Sequence, residues 1–244
     1  GIGFAVPSKT ASAVVDQLKQ FGETRRGWLG VRIQGVTDDI AESLGLKEAK
    51  GALVAGLTEK GPAEKAGIQS GDVILKFDGK EVPSVRELPR MVADTPVDKA
   101  VEVVVLRKGK EMTFKVDLGR LEEGEKTVVA DTAGGKDAKA PTAAAKTVAG
   151  ASLGALDAQA RTAFKIKDQI SKGVVVTSVA PGSAAAEKRI QPGEVILEVG
   201  QEEVASPDDV VKKFAALKAG GQKRALVLIS SAEGEMRFVT LATE

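Results

Sequence analysis

The stretch Gly71-Asp72-Val73-Ile74-Leu75 decides the fold, because it returns as Gly193-Glu194-Val195-Ile196-Leu197, a shift of 193 − 71 = 122 positions. The correspondence runs without a gap from Gly51 against Gly173 to Val92 against Phe214. Solenoid repeats are only roughly 20 to 50 residues long, so this longer period indicates a duplicated domain. A chain of 244 residues, 43% of them hydrophobic, is long enough for two domains with separate cores.

The composition excludes several classes of function. The 35 Lys and Arg residues balance 34 Asp and Glu residues and are interspersed with them, which argues against nucleic acid as a partner. The chain has no His and no Cys, so it cannot form a Ser-His-Asp triad, a disulfide or a His/Cys metal site. We therefore expect no catalytic residue, no metal and no cofactor in this chain. The longest apolar stretches fall short of the ~18 residues of a membrane span, so none is expected.

Each copy is predicted to contain strands, a short helix, another strand, a longer helix and a closing hairpin. Asp78-Gly79 is typical of a two-residue hairpin loop. Ser84-x-x-Glu87 predicts a capping box that opens the longer helix of the first copy, and Pro89 then predicts a kink within that helix. The expected fold class is mainly β with helices, α+β.

The boundaries follow from changes in this pattern. The apolar run 2–6 and the helical spacing after Ser8 predict the end of a preceding domain and a connector helix, and the missing initiator Met indicates an excised fragment. The stretch 131–150 is rich in Ala, Gly, Lys and Thr and lacks an apolar period, which predicts a flexible linker that lets the copies move relative to each other. The predicted units are residues 1–25, the first copy 26–119, the linker 120–148 and the second copy 149–244.

Four motifs, in their order and spacing, resemble the tandem PDZ domains that follow the protease domain in the HtrA/Deg serine proteases. They are Ile2-Gly3-Phe4-Ala5-Val6-Pro7, Arg26-Gly27-Trp28-Leu29-Gly30-Val31, Pro62-Ala63-x-x-Ala66-Gly67-Ile68 and Gly71-Asp72-Val73-Ile74. The first resembles the last strand of the protease domain and the second the family's carboxylate-binding loop. The resemblance implies two partly open β-barrel or sandwich domains, each with a groove helix.

A PDZ domain captures a peptide by adding it to a sheet edge and binding its C-terminal carboxylate with backbone N–H groups. The resemblance implies that the Leu29, Gly30 and Val31 amides bind the carboxylate. An apolar helix wall then favours a hydrophobic final residue. The complete set of candidate peptide-binding residues is Arg26, Gly27, Trp28, Leu29, Gly30, Val31, Ile33, Leu88, Met91 and Val92. Three of them have alternative interpretations: Met91 as core, Arg26 as a solvated charge and Trp28 as a cover over the loop.

The second copy departs from the family pattern. Its loop is expected at residues 151–155, which keep Leu-Gly but lack the Arg and one Gly. Arg189 takes the place of Gly67, where left-handed backbone costs a non-glycine residue roughly 1 kcal/mol or more. We therefore expect a weaker peptide groove, or a surface that contacts neighbouring subunits. The candidate residues of this groove are Leu153, Gly154, Ala155, Val210 and Phe214.

The resemblance implies the regulatory and substrate-tethering half of a periplasmic serine endopeptidase that acts on misfolded proteins. The implied partners are C-termini or extended hydrophobic segments of unfolded proteins, the protease domain of the same protein and further copies in a homo-oligomer. The alternative is a non-enzymatic adaptor or scaffold that binds partner C-termini. An enzyme active in this chain alone is disfavoured because the chain has no His.

Overall fold

A computed structural model of the protein describes residues 11, 12, 14, 15, 18, 19, 22, 24, 26–97, 99–120 and 146–243. The apolar run 2–6 and most of the expected linker lie outside the described residues. The described positions from 11 to 19 are helical, as their spacing predicts. Gly22 follows with a φ of 73° and donates its N–H to the Leu18 carbonyl at 2.9 Å.

The first copy forms one open sheet, a small strand pair and three helices. The sheet order is β2-β3-β4-β6-β7, with β5 pairing β4, whereas β1 pairs β8 separately. The elements are β1 Gly27–Trp28, β2 Val31–Gly35, α1 Asp38–Leu44, β3 Ala52–Leu57, α2 Pro62–Lys65, β4 Val73–Phe77, β5 Lys80–Glu81, α3 Glu87–Ala93, β6 Ala100–Arg107, β7 Lys110–Asp117 and β8 Gly119–Arg120.

The second copy repeats this plan with one change at its start. Its sheet order is β15-β14-β12-β11-β10-β9, with β13 pairing β12. The elements are β9 Lys146–Val148, β10 Ala151–Ala155, α4 Ala158–Phe164, β11 Val174–Val179, α5 Ala184–Glu187, β12 Val195–Val199, β13 Glu202–Glu203, α6 Pro207–Ala219, β14 Arg224–Ser230 and β15 Met236–Ala242. Residues 146–148 were expected in the linker but belong to this sheet. The prediction of a mainly β fold with helices is confirmed.

The repeated stretch is structural in both copies. Gly71 and Gly193 have φ values of 86° and 93°, and each donates its N–H to the strand before it, to Val54 at 2.9 Å and Val176 at 2.8 Å. Asp72 is completely buried and accepts hydrogen bonds from the Gln69 amide and the Arg107 guanidinium. The buried charge is thus paired and hydrogen-bonded, which is the condition for its stability.

The predicted capping box at Ser84 is wrong, and the later helix start removes the reason to expect a kink at Pro89. Helix α3 begins at Glu87, and no side chain caps its N-terminus. A helix capped by Ser84 would place Pro89 beyond the first turn, where its missing N–H and its ring oppose helical backbone. With the later start, Pro89 lies in the first turn and is tolerated. The equivalent Ser206 does cap α6, which runs for 13 residues without an internal proline.

The two copies pack against each other through an apolar interface. Its buried residues from the first copy are Ile40, Leu44, Leu53, Ala55, Val73 and Leu106, and those from the second copy are Leu226, Leu228 and Phe238. Burial of this many apolar side chains is the main force that holds two sheets together. The sequence suggested copies that move relative to each other, whereas the structure joins them.

Polar contacts frame this interface. The Gln34 side-chain amide bonds both backbone groups of Phe238, donating to its carbonyl at 2.8 Å and accepting from its N–H at 2.9 Å. The Asp39 carboxylate bonds Lys188 at 2.9 Å and Arg224 at 3.0 Å. The Lys188 hydrogen bond is the largest cause that lowers the pKa of Asp39, and the charges of both cations add to it. These contacts define the relative orientation of the copies.

Candidate functional site

Strand β2 lies at the edge of the first sheet: within the described residues it pairs with β3 on one side and with no strand on the other. The Gly30 carbonyl accepts a hydrogen bond from the Thr58 amide at 2.9 Å, just outside the opposed pair Val31 and Leu57. That bond makes Val31 and Leu57 a non-hydrogen-bonded pair of the antiparallel ladder. The Val31 N–H therefore points away from β3, towards the open edge.

The loop before β2 has its carbonyls tied back to the domain. The Leu29 carbonyl accepts from the Ala63 amide at the start of α2, at 3.0 Å, and the Gly30 carbonyl is held by Thr58. Gly30 has a φ of 74°, and a Cβ at this position would lie 3.1 Å from Pro62. A non-glycine residue would thus be both strained and crowded. The loop and the start of β2 together resemble a backbone nest, which suits an anion.

Gly27 serves close packing rather than the turn of the loop. A Cβ on Gly27 would lie 2.4 Å from the Val92 carbonyl oxygen and 2.8 Å from that of Thr95, so β1 can pass under the end of α3 only with glycine. The Trp28 ring lies against the loop, since it is 3.4 Å from the Cβ position of Gly30. This contact agrees with Trp28 as a cover. Arg26 is exposed and directly precedes β1.

The helix contributes less open apolar surface than expected. Leu88 is 1% exposed and Val92 7% exposed, so both belong to the core. Met91 is half-buried and lines a separate cavity beside Phe77. The half-buried apolar side chains near the edge are Val31, Ile33 and Val85.

Sequence reasoning named Leu88, Met91 and Val92 as the helix wall of the groove and did not include Val85. In the structure Val85 precedes α3, and its Cγ1 is 3.6 Å from the Cβ position of Gly35 on β2. A helix start judged from Pro89 rather than from Ser84 would have placed Val85 in the turn. The late start of α3 therefore exposes Val85 to the groove.

The expected loop of the second copy is wrong. Leu153, Gly154 and Ala155 lie on strand β10, where Leu153 opposes Val176 as Ile33 opposes Val54. The true equivalent of Leu29-Gly30 is Ala149-Gly150: the Ala149 carbonyl accepts from Ala185 at 3.1 Å, and the Gly150 carbonyl from Ala180 at 2.8 Å. Matching Leu153-Gly154 to Leu29-Gly30 placed the loop four positions too late in the sequence. Val210 and Phe214 are buried in the second core.

No other chemistry stands out in the described part of the chain. No group of three or more Asp, Glu, His or Cys residues there is arranged to hold a metal ion. No helix among those residues combines the length and apolar character needed to cross a membrane. What the first copy offers is a strand edge, a loop with free amides and an apolar floor.

The fold agrees with the family comparison. The PDZ domain matches residues 27–118 and, a second time, residues 154–229. The chain belongs to the PDZ-domain family and carries two such domains.

Similar full-length proteins show in which kind of protein such a pair of PDZ domains occurs. The chain is 41% identical to a protein named probable periplasmic serine endoprotease DegP-like from Rhizobium meliloti, over 99% of this chain and 45% of that protein. It is 39% identical to a protein of the same name from Brucella suis, over 99% of this chain and 44% of that protein. The chain thus spans about half the length of these curated relatives. A solved HtrA-type protease, AlgW with decapeptide, is 41% identical over 49% of this chain and 37% of that chain, with a TM-score of 0.44.

Proposed function

We propose that the first PDZ domain binds extended peptides that end in a hydrophobic residue and a free carboxylate. The orientation of Val31 carries this proposal, because its N–H faces an edge where a peptide strand can add. The tied-back carbonyls of Leu29 and Gly30 leave the amide side of the loop for the carboxylate. Val31, Ile33 and Val85 form the apolar floor for the peptide side chains.

We further propose that the chain is the regulatory and substrate-tethering half of a periplasmic serine endopeptidase of protein quality control. Its partners are then the protease domain of the same protein, unfolded proteins with exposed C-termini or hydrophobic segments, and further copies in a homo-oligomer. The names of the relatives support this, as does the similarity over 99% of this chain. The alternative is a non-enzymatic adaptor that uses the same groove.

Calorimetric titration tests peptide capture. A peptide with a hydrophobic final residue should bind the chain, and amidation of its C-terminus should weaken binding roughly ten- to hundredfold, the equivalent of one charge-assisted hydrogen bond. Ile33→Ser should also weaken binding. Thr113→Ala, at an exposed position of β7 on the opposite edge of the sheet, serves as the matched control. Equal affinity for the free and the amidated peptide would contradict carboxylate capture.

A separate experiment distinguishes the protease from the adaptor. The complete gene product should hydrolyse unfolded casein, and replacement of a serine nucleophile outside this chain should abolish the hydrolysis. An adaptor would bind the same peptides but leave casein intact. Sedimentation of the complete protein would test the homo-oligomer.

A further inference from the structure

Strand β9 occupies the groove of the second PDZ domain. It pairs antiparallel with β10, so that Val148 opposes Ala151 and Lys146 opposes Leu153. It also lies beside helix α6, which itself contacts β10. In the first domain the corresponding edge of β2 carries no strand within the described residues. A peptide added to the second domain would need the place that β9 fills.

The backbone groups of this edge are paired within the chain. The Gly150 carbonyl accepts from Ala180 next to the opposed pair Ala151 and Val179, so the Ala151 N–H points away from β11, as that of Val31 points away from β3. On this outer side Ala151 meets Val148 across a two-residue loop. The closing pair of such a hairpin is hydrogen-bonded, so the Val148 carbonyl accepts from the Ala151 N–H. That N–H is the donor that a bound peptide would need.

The loop has also changed its shape. Ala149 and Gly150 have φ values of 50° and 83°, the pair of left-handed residues that a type I′ hairpin requires. In the first domain only Gly30 of the two loop residues has a positive φ. A hairpin turn leads the chain directly back along the edge, whereas the loop of the first domain leaves that edge open.

A residue difference at the start of each domain accompanies the divergence of the two strands. Thr147 is the equivalent of Gly27, and a Cβ at Gly27 would lie 2.4 Å from the Val92 carbonyl oxygen. Thr147 therefore cannot take the path of β1 under the helix end. β1 pairs with β8, whereas β9 folds onto β10. The half-buried Val148 packs against the second core, and the Lys146 ammonium pairs with Asp208 of α6.

We propose that residues 146–148 are a built-in ligand of the second PDZ domain, which keeps its groove closed to external C-termini. The chain then binds one peptide, in the first domain, although it has two PDZ folds. This inference rests on the proposed function of the first groove. Its test follows the Ala151 amide of the second domain, whereas the proposed function is tested at the Val31 amide of the first.

Amide hydrogen exchange on the full chain compares two equivalent positions. Without peptide, the Ala151 amide should exchange about five- to tenfold more slowly than the Val31 amide, the equivalent of one net hydrogen bond. A peptide with a hydrophobic C-terminus should slow exchange at Val31 and leave Ala151 unchanged. Ala151 exchanging as fast as Val31, or responding to the peptide, would overturn the inference. A Val31 amide that ignores the peptide would instead count against the proposed function alone.

Two proline variants separate strand pairing from simple burial. In β9 the Val148 N–H faces β10, whereas the Thr147 N–H faces away from it. Val148→Pro removes the N–H that donates to the Ala151 carbonyl, and by opening this closing pair it should speed exchange at Ala151 about five- to tenfold, whereas Thr147→Pro should change it less than about threefold. Continued protection of Ala151 in both variants would refute the built-in ligand. The amide of Val227, in the second core, reports whether each variant is folded, and the wild-type comparison decides the question without either variant.

Discussion

Replacement of Gln34 by Ala should loosen the interface between the two PDZ domains. The side chain makes two hydrogen bonds to the backbone of Phe238, at 2.8 and 2.9 Å, and neither bond lies within one domain. At a net value of roughly 0.5–1.5 kcal/mol per bond, the loss is about 1–3 kcal/mol. That corresponds to roughly a 5- to 150-fold shift of the docking equilibrium towards separated domains.

Hydrogen exchange at the Phe238 amide responds both to the loss of its own bond and to any opening of the interface, because that N–H donates to the Gln34 side chain. Gln34→Glu keeps an acceptor but loses the donor, so its effect should be intermediate. Gln222→Ala, at an exposed position, is the matched control. If Phe238 exchanged equally slowly in Gln34→Ala and the wild type, the interface would not depend on these bonds and the reasoning would be refuted.

Three further predictions concern other positions. Gly27→Ala should reduce the free energy of unfolding by about 1–3 kcal/mol, because the new Cβ meets the Val92 carbonyl; denaturant titration would show no change if β1 could shift aside. Arg189→Gly should stabilise the chain by a few tenths of a kcal/mol to about 1 kcal/mol, because Arg189 has a φ of 55°; an unchanged or lower thermal midpoint would contradict this. The pKa of Asp39 is lowered in the folded chain, so its contribution is present above the ordinary value of 3.8 and is lost as the pH falls through the lower folded value. Asp39→Asn should remove this part of the acid dependence of docking, measured by exchange at Phe238 between pH 5 and 3, and an identical profile would count against it.

The duplication and the PDZ fold could be predicted from sequence because the apolar strand at Gly71 returns with its turn residues at a constant shift. Short sequence motifs gave wrong positions for the start of α3 and for the loop of the second domain. Pro89 determined the start of α3, and the Leu-Gly pair at 153–154 matched a loop that the backbone forms four residues earlier.

The interface between the domains could not be predicted from the sequence. Strand residues that face a domain's own core and those that face another domain are apolar alike. Val73 and Ile74 are neighbours and both fully buried, yet Val73 belongs to the interface and Ile74 to the core of the first domain. Composition cannot distinguish the two kinds of burial.

Gln34 belongs to β2, the strand whose edge is the proposed peptide site, and it also bonds β15 of the second domain. One five-residue strand is thus common to two binding events. Thermodynamic reciprocity follows: if a peptide changes the free energy of docking, then docking changes peptide affinity by the same factor. On the proposed function, the second domain would then set how tightly the first one holds its ligand, although β9 fills its own groove.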